Sequence, residues 1–241
     1  MLTSIKSDIY LLVKNKIQVL FEDDHYIAAT KPSDLLVHPF KARSSDRRSL
    51  LRSLKKQTDI YLFPIHRLDK PVSGVVLFAK SKEATKLMKE QWNSDNVSKH
   101  YVAMVKGVAE EEGVYDFPIK TDKGIQDAKT AFKRLATNEE YSLVEIEIFT
   151  GRQHQIRKHF SRRMHNLVGD AKYGHSSINN QFRKDYKFYR IFLHSYKLCF
   201  KHPITQEDIV IESPVTEDCL KIANDLFAFD LGNITKKIEE N

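Results

Sequence analysis

The stretch YSLVEIEIF, Tyr141 to Phe149, alternates Val144, Ile146 and Ile148 with Glu145 and Glu147. Successive side chains of a strand point to opposite faces, so this period of two describes a strand in a sheet with one wet face. Segments on either side carry similar signals. HYVAMVKGV from His100, TAFKRLA from Thr130, FLHSYKLCF from Phe192 and DIVIES from Asp208 all read as strands. QVLFEDDHYIAATKP, from Gln18, reads as a strand, an acidic turn at Asp23 and Asp24, and a returning strand ended by Pro32. SGVVLFAK, from Ser73, is an unbroken apolar run and reads as a buried strand. Helices are occasional: SKEATKLMKEQWNS sets Ala84, Leu87, Met88 and Trp92 on one helical face, with Ser81 as N-cap. Many strands with few helices do not fit a regular strand–helix repeat. The expected fold class is therefore α+β, with a mixed, mainly antiparallel sheet and flanking helices.

A chain of 241 residues that is 41% hydrophobic can bury the core of one large domain or two small ones. No internal repeat divides it, so one domain is expected over 17–230, with 1–16 and 231–241 as terminal extensions. A polar, basic stretch from Lys41 to Lys56, including KARSSDRRS, reads as an exposed loop and short helix. Lys plus Arg number 39 against 32 for Asp plus Glu, a formal charge of +7, which favours an anionic partner. The apolar run from Ile9 to Val13 is too short for a signal segment or a membrane span, so the expectation is a soluble, cytoplasmic protein with no membrane partner. Cys199, set beside Phe200 in a strand-like run, suits a packed thiol better than a disulfide or zinc framework.

Two stretches concentrate functional side chains. FPIHRLDKPVSGVVLFAKSKEA, Phe63 to Ala84, crowds His66, Arg67 and Asp69 before a core strand. TGRQHQIRKHFSRRMHNLVGDAKYG, Thr150 to Gly174, spaces Ile156, Phe160 and Met164 by four, which predicts an amphipathic helix from about Arg152 to His165. Its other faces carry Arg152, Arg157, Lys158, Arg162 and Arg163 with His154, His159 and His165. Arginine at a helix N-terminus opposes the dipole, so a phosphate or carboxylate is expected to approach that end. His154 and His159 are five apart where a shared metal on a helix needs four, and no metal is expected. G-x-S-x-G and the glycine-rich phosphate cradles are absent, which excludes a serine-elbow hydrolase and the common nucleotide cofactors. What remains is Asp69 between Arg67 and Lys70. From residue types alone it is more readily a turn or cap residue than a catalytic one.

The wording of these stretches goes further. HRLDKPVSGVVLFAKS resembles the signature motif of the RluA-type pseudouridine synthases, and KHYVAMVKG and TGRQHQIRKHF…NLVGDAKYG resemble their second and third motifs in the same order. The resemblance extends over about Gln18 to Pro214. It implies the pseudouridine synthase fold with a central RNA-binding cleft, and an isomerase that converts a uridine of RNA to pseudouridine without cofactor or metal. It places the family's nucleophile on Asp69, its active-site tyrosine on Tyr101 and the aspartate's arginine partner on Arg157. Arg67 falls where an arginine displaces the target base, and Arg152, His154 and His66 are expected as supporting contacts to RNA or base. The sequence departs from the family at Val72, Asp34 and Phe132, which stand where Thr, Gly and Tyr are usual. No S4-like domain is expected ahead of the catalytic one. The short form resembles the bacterial members that modify tRNA, so tRNA is the expected substrate and ribosomal RNA the alternative. A non-catalytic RNA-binding protein on this scaffold is the rival from another class. The enzyme is expected to be a monomer with no obligatory protein partner.

Overall fold

The computed structural model describes residues 16–38 and 48–234. Most of the KARSSDRRS loop, and residues 1–15 and 235–241 of the expected terminal extensions, lie outside the described residues. In chain order the strands are β1 (Val19–Glu22), β2 (Tyr26–Lys31), β3 (Phe63–Pro64), β4 (Ser73–Ala79), β5 (Val97–Lys106), β6 (Glu112–Tyr115), β7 (Ile119–Thr121), β8 (Gly124–Gln126), β9 (Thr130–Thr137), β10 (Tyr141–Ile148), β11 (Leu193–Lys201) and β12 (Asp208–Glu212). The α-helices are α1 (Leu50–Thr58), α2 (Lys82–Gln91), α3 (Gln155–Arg162), α4 (Ser176–Tyr186) and α5 (Glu217–Phe227). One large sheet runs in the order β1-β2-β4-β11-β5-β10-β9-β6, with β12 beside β11 and β3 beside β4, while β7 and β8 form a separate hairpin. Among the described residues every pairing is antiparallel except β4 with β11. The expected α+β class and mainly antiparallel sheet are what the chain adopts.

β10 explains the two faces. Val144, Ile146 and Ile148 join Tyr101, Leu68, Val72, Ile156 and Phe160 in the core on the side that will carry the cleft. Tyr141 and Leu143 face the other way, into a second core closed by Phe182 of α4 and by Cys219, Ile222 and Ala223 of α5. The sheet is thus covered on both sides over much of its area, and the expected wet face is wet only in part. Leu231 and Ile234 are 1% and 3% exposed in that second core, so the packed chain continues beyond the boundary expected at 230. On α2, Ala84, Met88 and Trp92 are buried as expected, whereas Leu87 is exposed. Ser81 caps the helix, its Oγ accepting from the Ala84 N–H at 3.0 Å.

The parallel β4–β11 contact spans only Ser73↔His194 and Ser195↔Gly74. Gly74 has φ +121, and a Cβ there would stand 2.1 Å from the Ser195 carbonyl oxygen. A side chain is excluded both by backbone conformation and by space. Gly74→Ala is therefore expected to destabilise the fold by more than about 3 kcal/mol, placing it in the exceptional tail of single substitutions. Denaturant unfolding checks this, and a loss under about 1 kcal/mol means the two strands can part without consequence.

Candidate active site

β4 positions the loop that precedes it. The Val72 N–H donates to the Asp69 carbonyl at 3.1 Å, closing the turn through Lys70 and Pro71. The segment after β2 holds that turn from outside: Ser33 Oγ donates to the Pro71 carbonyl at 2.8 Å, and Lys31 Nζ to the Lys70 carbonyl at 3.0 Å. Lys31 also donates to the carbonyls of Pro32 at 2.8 Å and Leu35 at 2.7 Å. Burial first, then the charge of Arg190, pulls the Lys31 pKa down to about 7. Three carbonyls nevertheless accept its three protons, the arrangement that suits an ammonium. Asp34 takes the left-handed conformation, φ 60, that glycine adopts without cost. Val72 is buried in the core, and Phe132 packs its ring 4.9 Å from Tyr115 and 5.3 Å from Phe160, so both departures from the usual residue fill apolar space.

Asp69 opens onto a cleft of about 330 Å³, also lined by Arg67, Tyr101, Arg152, His154 and Arg157. Leu68, Ile148, Ile156 and Leu193 give it apolar surface, and Thr121, Asp122, Lys123 and Gln126 of the β7–β8 hairpin form a further wall. Tyr101 comes from β5 and is 6% exposed. Burial pushes its phenol far above the ordinary tyrosine range, so the ring is neutral.

Arg157 is the electrostatic centre of the site. Its Nη1 donates to Asp69 Oδ2 at 3.0 Å, while Nε and Nη2 donate to Asp170 Oδ2 and Oδ1 at 2.7 and 2.8 Å. Its guanidinium carbon lies 5.1 Å from the centroid of the Tyr173 ring. Burial works against the charge, but the two carboxylates outweigh it and hold Arg157 firmly protonated. Burial likewise pushes the Asp170 carboxyl up, yet the hydrogen bonds and charge of Arg157, with the N–H groups of Tyr173 and Lys172, bring it below the usual carboxylate range. His154 sits beside them, Nε2 3.7 Å from Asp69 Oδ2 and Nδ1 2.9 Å from the Tyr173 hydroxyl. Burial lowers its pKa more than Asp69 raises it.

The expected helix from Arg152 to His165 is shorter. It begins at Gln155, because His154 takes a left-handed φ of 55 that a helix cannot include. Gln155 Oε1 accepts from the Arg152 N–H at 3.1 Å and from Thr150 Oγ1 at 2.7 Å, shaping the entry. Arg152 thus stands in the loop before the helix, with Nε donating to the Asp127 carbonyl at 3.0 Å. Met164, offered as part of the apolar stripe, is 73% exposed beyond the helix end. The carboxylate that meets the side chains of this first turn is the protein's own Asp69, held by Arg157.

His66 does not join this group. Its Nε2 accepts the Leu77 N–H at 3.1 Å, and its ring stacks on Trp92 with centroids 4.8 Å apart, away from the cleft lining. His66, expected as a contact to RNA or base, stands outside the cleft lining, its Nε2 engaged by a backbone N–H and its ring by the Trp92 indole. Asp170 went unassigned from the sequence. It was legible in one respect, as the only carboxylate between Thr150 and Gly174 amid a crowd of cations.

The sequence and the fold have counterparts. Residues 25–162 match the family model for RNA pseudouridylate synthase. The chain is 34% identical to tRNA pseudouridine synthase C of Pasteurella multocida, the match covering 90% of this chain and 99% of that protein. It is 32% identical to tRNA pseudouridine synthase C of Vibrio parahaemolyticus, covering 84% and 92%. Among solved structures, human RNA pseudouridylate synthase domain containing 4 superposes with a TM-score of 0.72 at 22% identity, covering 92% of this chain and 97% of that one. With its motifs gathered around one cleft and more than half its length matched by the family model, the chain belongs to the RNA pseudouridylate synthase family.

Proposed function

We propose that this RNA pseudouridine synthase acts on a uridine of tRNA, with Asp69 as the carboxylate that drives the isomerisation. The observation that carries the site assignment is that Asp69 and Tyr101 line one cleft while Arg157 Nη1 holds Asp69 Oδ2 at 3.0 Å. Conversion of uridine breaks N1–C1′, turns the uracil, forms C5–C1′ and moves the C5 proton to N1, so product and substrate are isomers. One ionised carboxylate suffices for this, whether it attacks the sugar, adds to the base or removes a ribose proton. Arg157 orients Asp69 by a charge-assisted hydrogen bond. The neutral ring of Tyr101 offers a stacking surface for the uracil, and the exposed Arg67 fills the space the flipped base leaves.

What supports tRNA is that the relatives named tRNA pseudouridine synthase C align along nearly their whole length. Site-mapped pseudouridine sequencing of total RNA, with and without this gene, tests it. The expected result is loss of pseudouridine at a tRNA position; loss confined to ribosomal RNA would overturn the substrate assignment. Binding is also expected to weaken at least about tenfold between roughly 50 and 200 mM salt, the change that neutralising two phosphates produces. A flat salt response in equilibrium binding would remove Arg152 as a phosphate contact.

A further inference from the structure

We infer that His66 is a positioning residue, which fixes the loop carrying Arg67 and Asp69 by standing in for a missing strand carbonyl at Leu77 and by stacking on Trp92. β3 pairs with β4 only at Phe63↔Ala79 and Pro64↔Phe78. The Ile65 N–H then donates to the Leu77 carbonyl at 3.1 Å, after which the backbone turns off toward the cleft. In an antiparallel ladder the N–H and C=O of one residue point to the same side, so the Leu77 N–H faces the edge that β3 has just left. Leu77 is fully buried, and an orphaned N–H there is costly. The His66 side chain answers it, Nε2 accepting at 3.1 Å.

Acceptance at Nε2 assigns the ring proton to Nδ1 and requires a neutral imidazole. Burial, and after it the charge of Lys99, holds the His66 pKa down at about 3, so the acceptor persists at working pH. The ring lies almost parallel to Trp92, at 24°. Trp92 is itself held at the end of α2: Lys99 Nζ donates to its carbonyl at 2.9 Å and stands 5.4 Å from its ring centroid. The chain is therefore clamped one residue before Arg67 and three before Asp69. Lys31 and Ser33 clamp it on the far side, at Lys70 and Pro71. His66 acts through the backbone between these two anchors.

This inference rests on Asp69 being the reactive carboxylate. Trp92 is the chain's single tryptophan, so its fluorescence reports the stack directly. His66→Phe keeps a ring for the stack and loses the acceptor, whereas His66→Gln restores an acceptor near the same place. For His66→Phe, single-turnover conversion at saturating enzyme is expected to fall about ten- to a hundredfold, the scale of a small displacement of a reacting group. RNA affinity should stay within about threefold, and His66→Gln should recover most of the rate with altered Trp92 emission. Wild-type turnover by a folded His66→Phe, or lost RNA affinity with an unchanged saturated rate, overturns the inference. In the unmodified protein, nitrogen NMR is expected to show His66 as the neutral Nδ1–H tautomer. An Nε2–H tautomer, or titration near the ordinary 6.5, overturns it even if the variants do not fold. An active Asp69→Asn enzyme instead overturns the role of Asp69, so the two failures are distinguishable.

Discussion

Asp69→Asn is expected to abolish pseudouridine formation while leaving RNA binding in place. The side chain is 15% exposed at the floor of the cleft and meets Arg157 Nη1 at 3.0 Å. Asparagine can turn its amide oxygen to the same donor, so the cleft keeps its shape. It is, however, neither nucleophile nor base, and every route to breaking the glycosidic bond with this group needs one or the other. The single-turnover rate should fall by more than about four orders of magnitude, the scale on which losing a nucleophile acts in other enzymes. Affinity should stay within about threefold, because the substitution removes a negative charge from a surface that receives a polyanion. Turnover within about a hundredfold of wild type would take Asp69 out of the mechanism. Parallel loss of binding would show that the loop had moved.

The fold was legible where one face of a strand dominates. β10 announced itself by alternation and β4 by an unbroken apolar run. β7 and β8, three residues each, are too short to show any period, yet they wall the cleft. α5 did carry a helical pattern, Cys219, Ile222 and Ala223, but its covering of the second face could not be inferred from β10, whose glutamates suggested water. The site is harder for a physical reason: Asp69, Tyr101 and Arg157 come from separate segments, and only the fold brings them together. Residue types alone favoured a turn residue at Asp69; the motif resemblance supplied its role. Arg152 and His66 show the limit of reading by adjacency. The first was placed on a helix that a single left-handed residue, His154, delays until Gln155. The second stands beside Arg67 in sequence, but its ring is turned back toward β4 and Trp92.

Arg157→Ala is expected to be nearly as damaging as loss of the aspartate, and Arg152→Ala much milder. Since Arg152 precedes the helix, the distinction rests on what each guanidinium holds. Arg157 is 6% exposed and bridges two carboxylates, one of them, Asp170, with no exposed side-chain surface. Alanine leaves that buried charge without its partner, a loss of about 3–5 kcal/mol in comparable buried pairs, so the protein should be less stable as well as inactive. Arg157→Lys separates these effects. It restores the charge, but one ammonium nitrogen lacks the planar fork by which Nε, Nη1 and Nη2 reach Asp170 and Asp69 together. Stability should largely return while the rate at saturating enzyme stays at least about a hundredfold down, as expected when a reacting group is misplaced. Asp170→Asn should likewise slow conversion with little effect on RNA affinity, because it loosens the clamp that aims Arg157 at Asp69. Arg152 donates to the Asp127 carbonyl from an exposed position, where one phosphate contact is screened and shared. Arg152→Ala should therefore weaken binding and leave the saturated rate within about tenfold of wild type. If Arg152→Ala proves the more defective at saturating enzyme, Arg157 is a structural strut and the aspartate's working partner lies on the loop before α3.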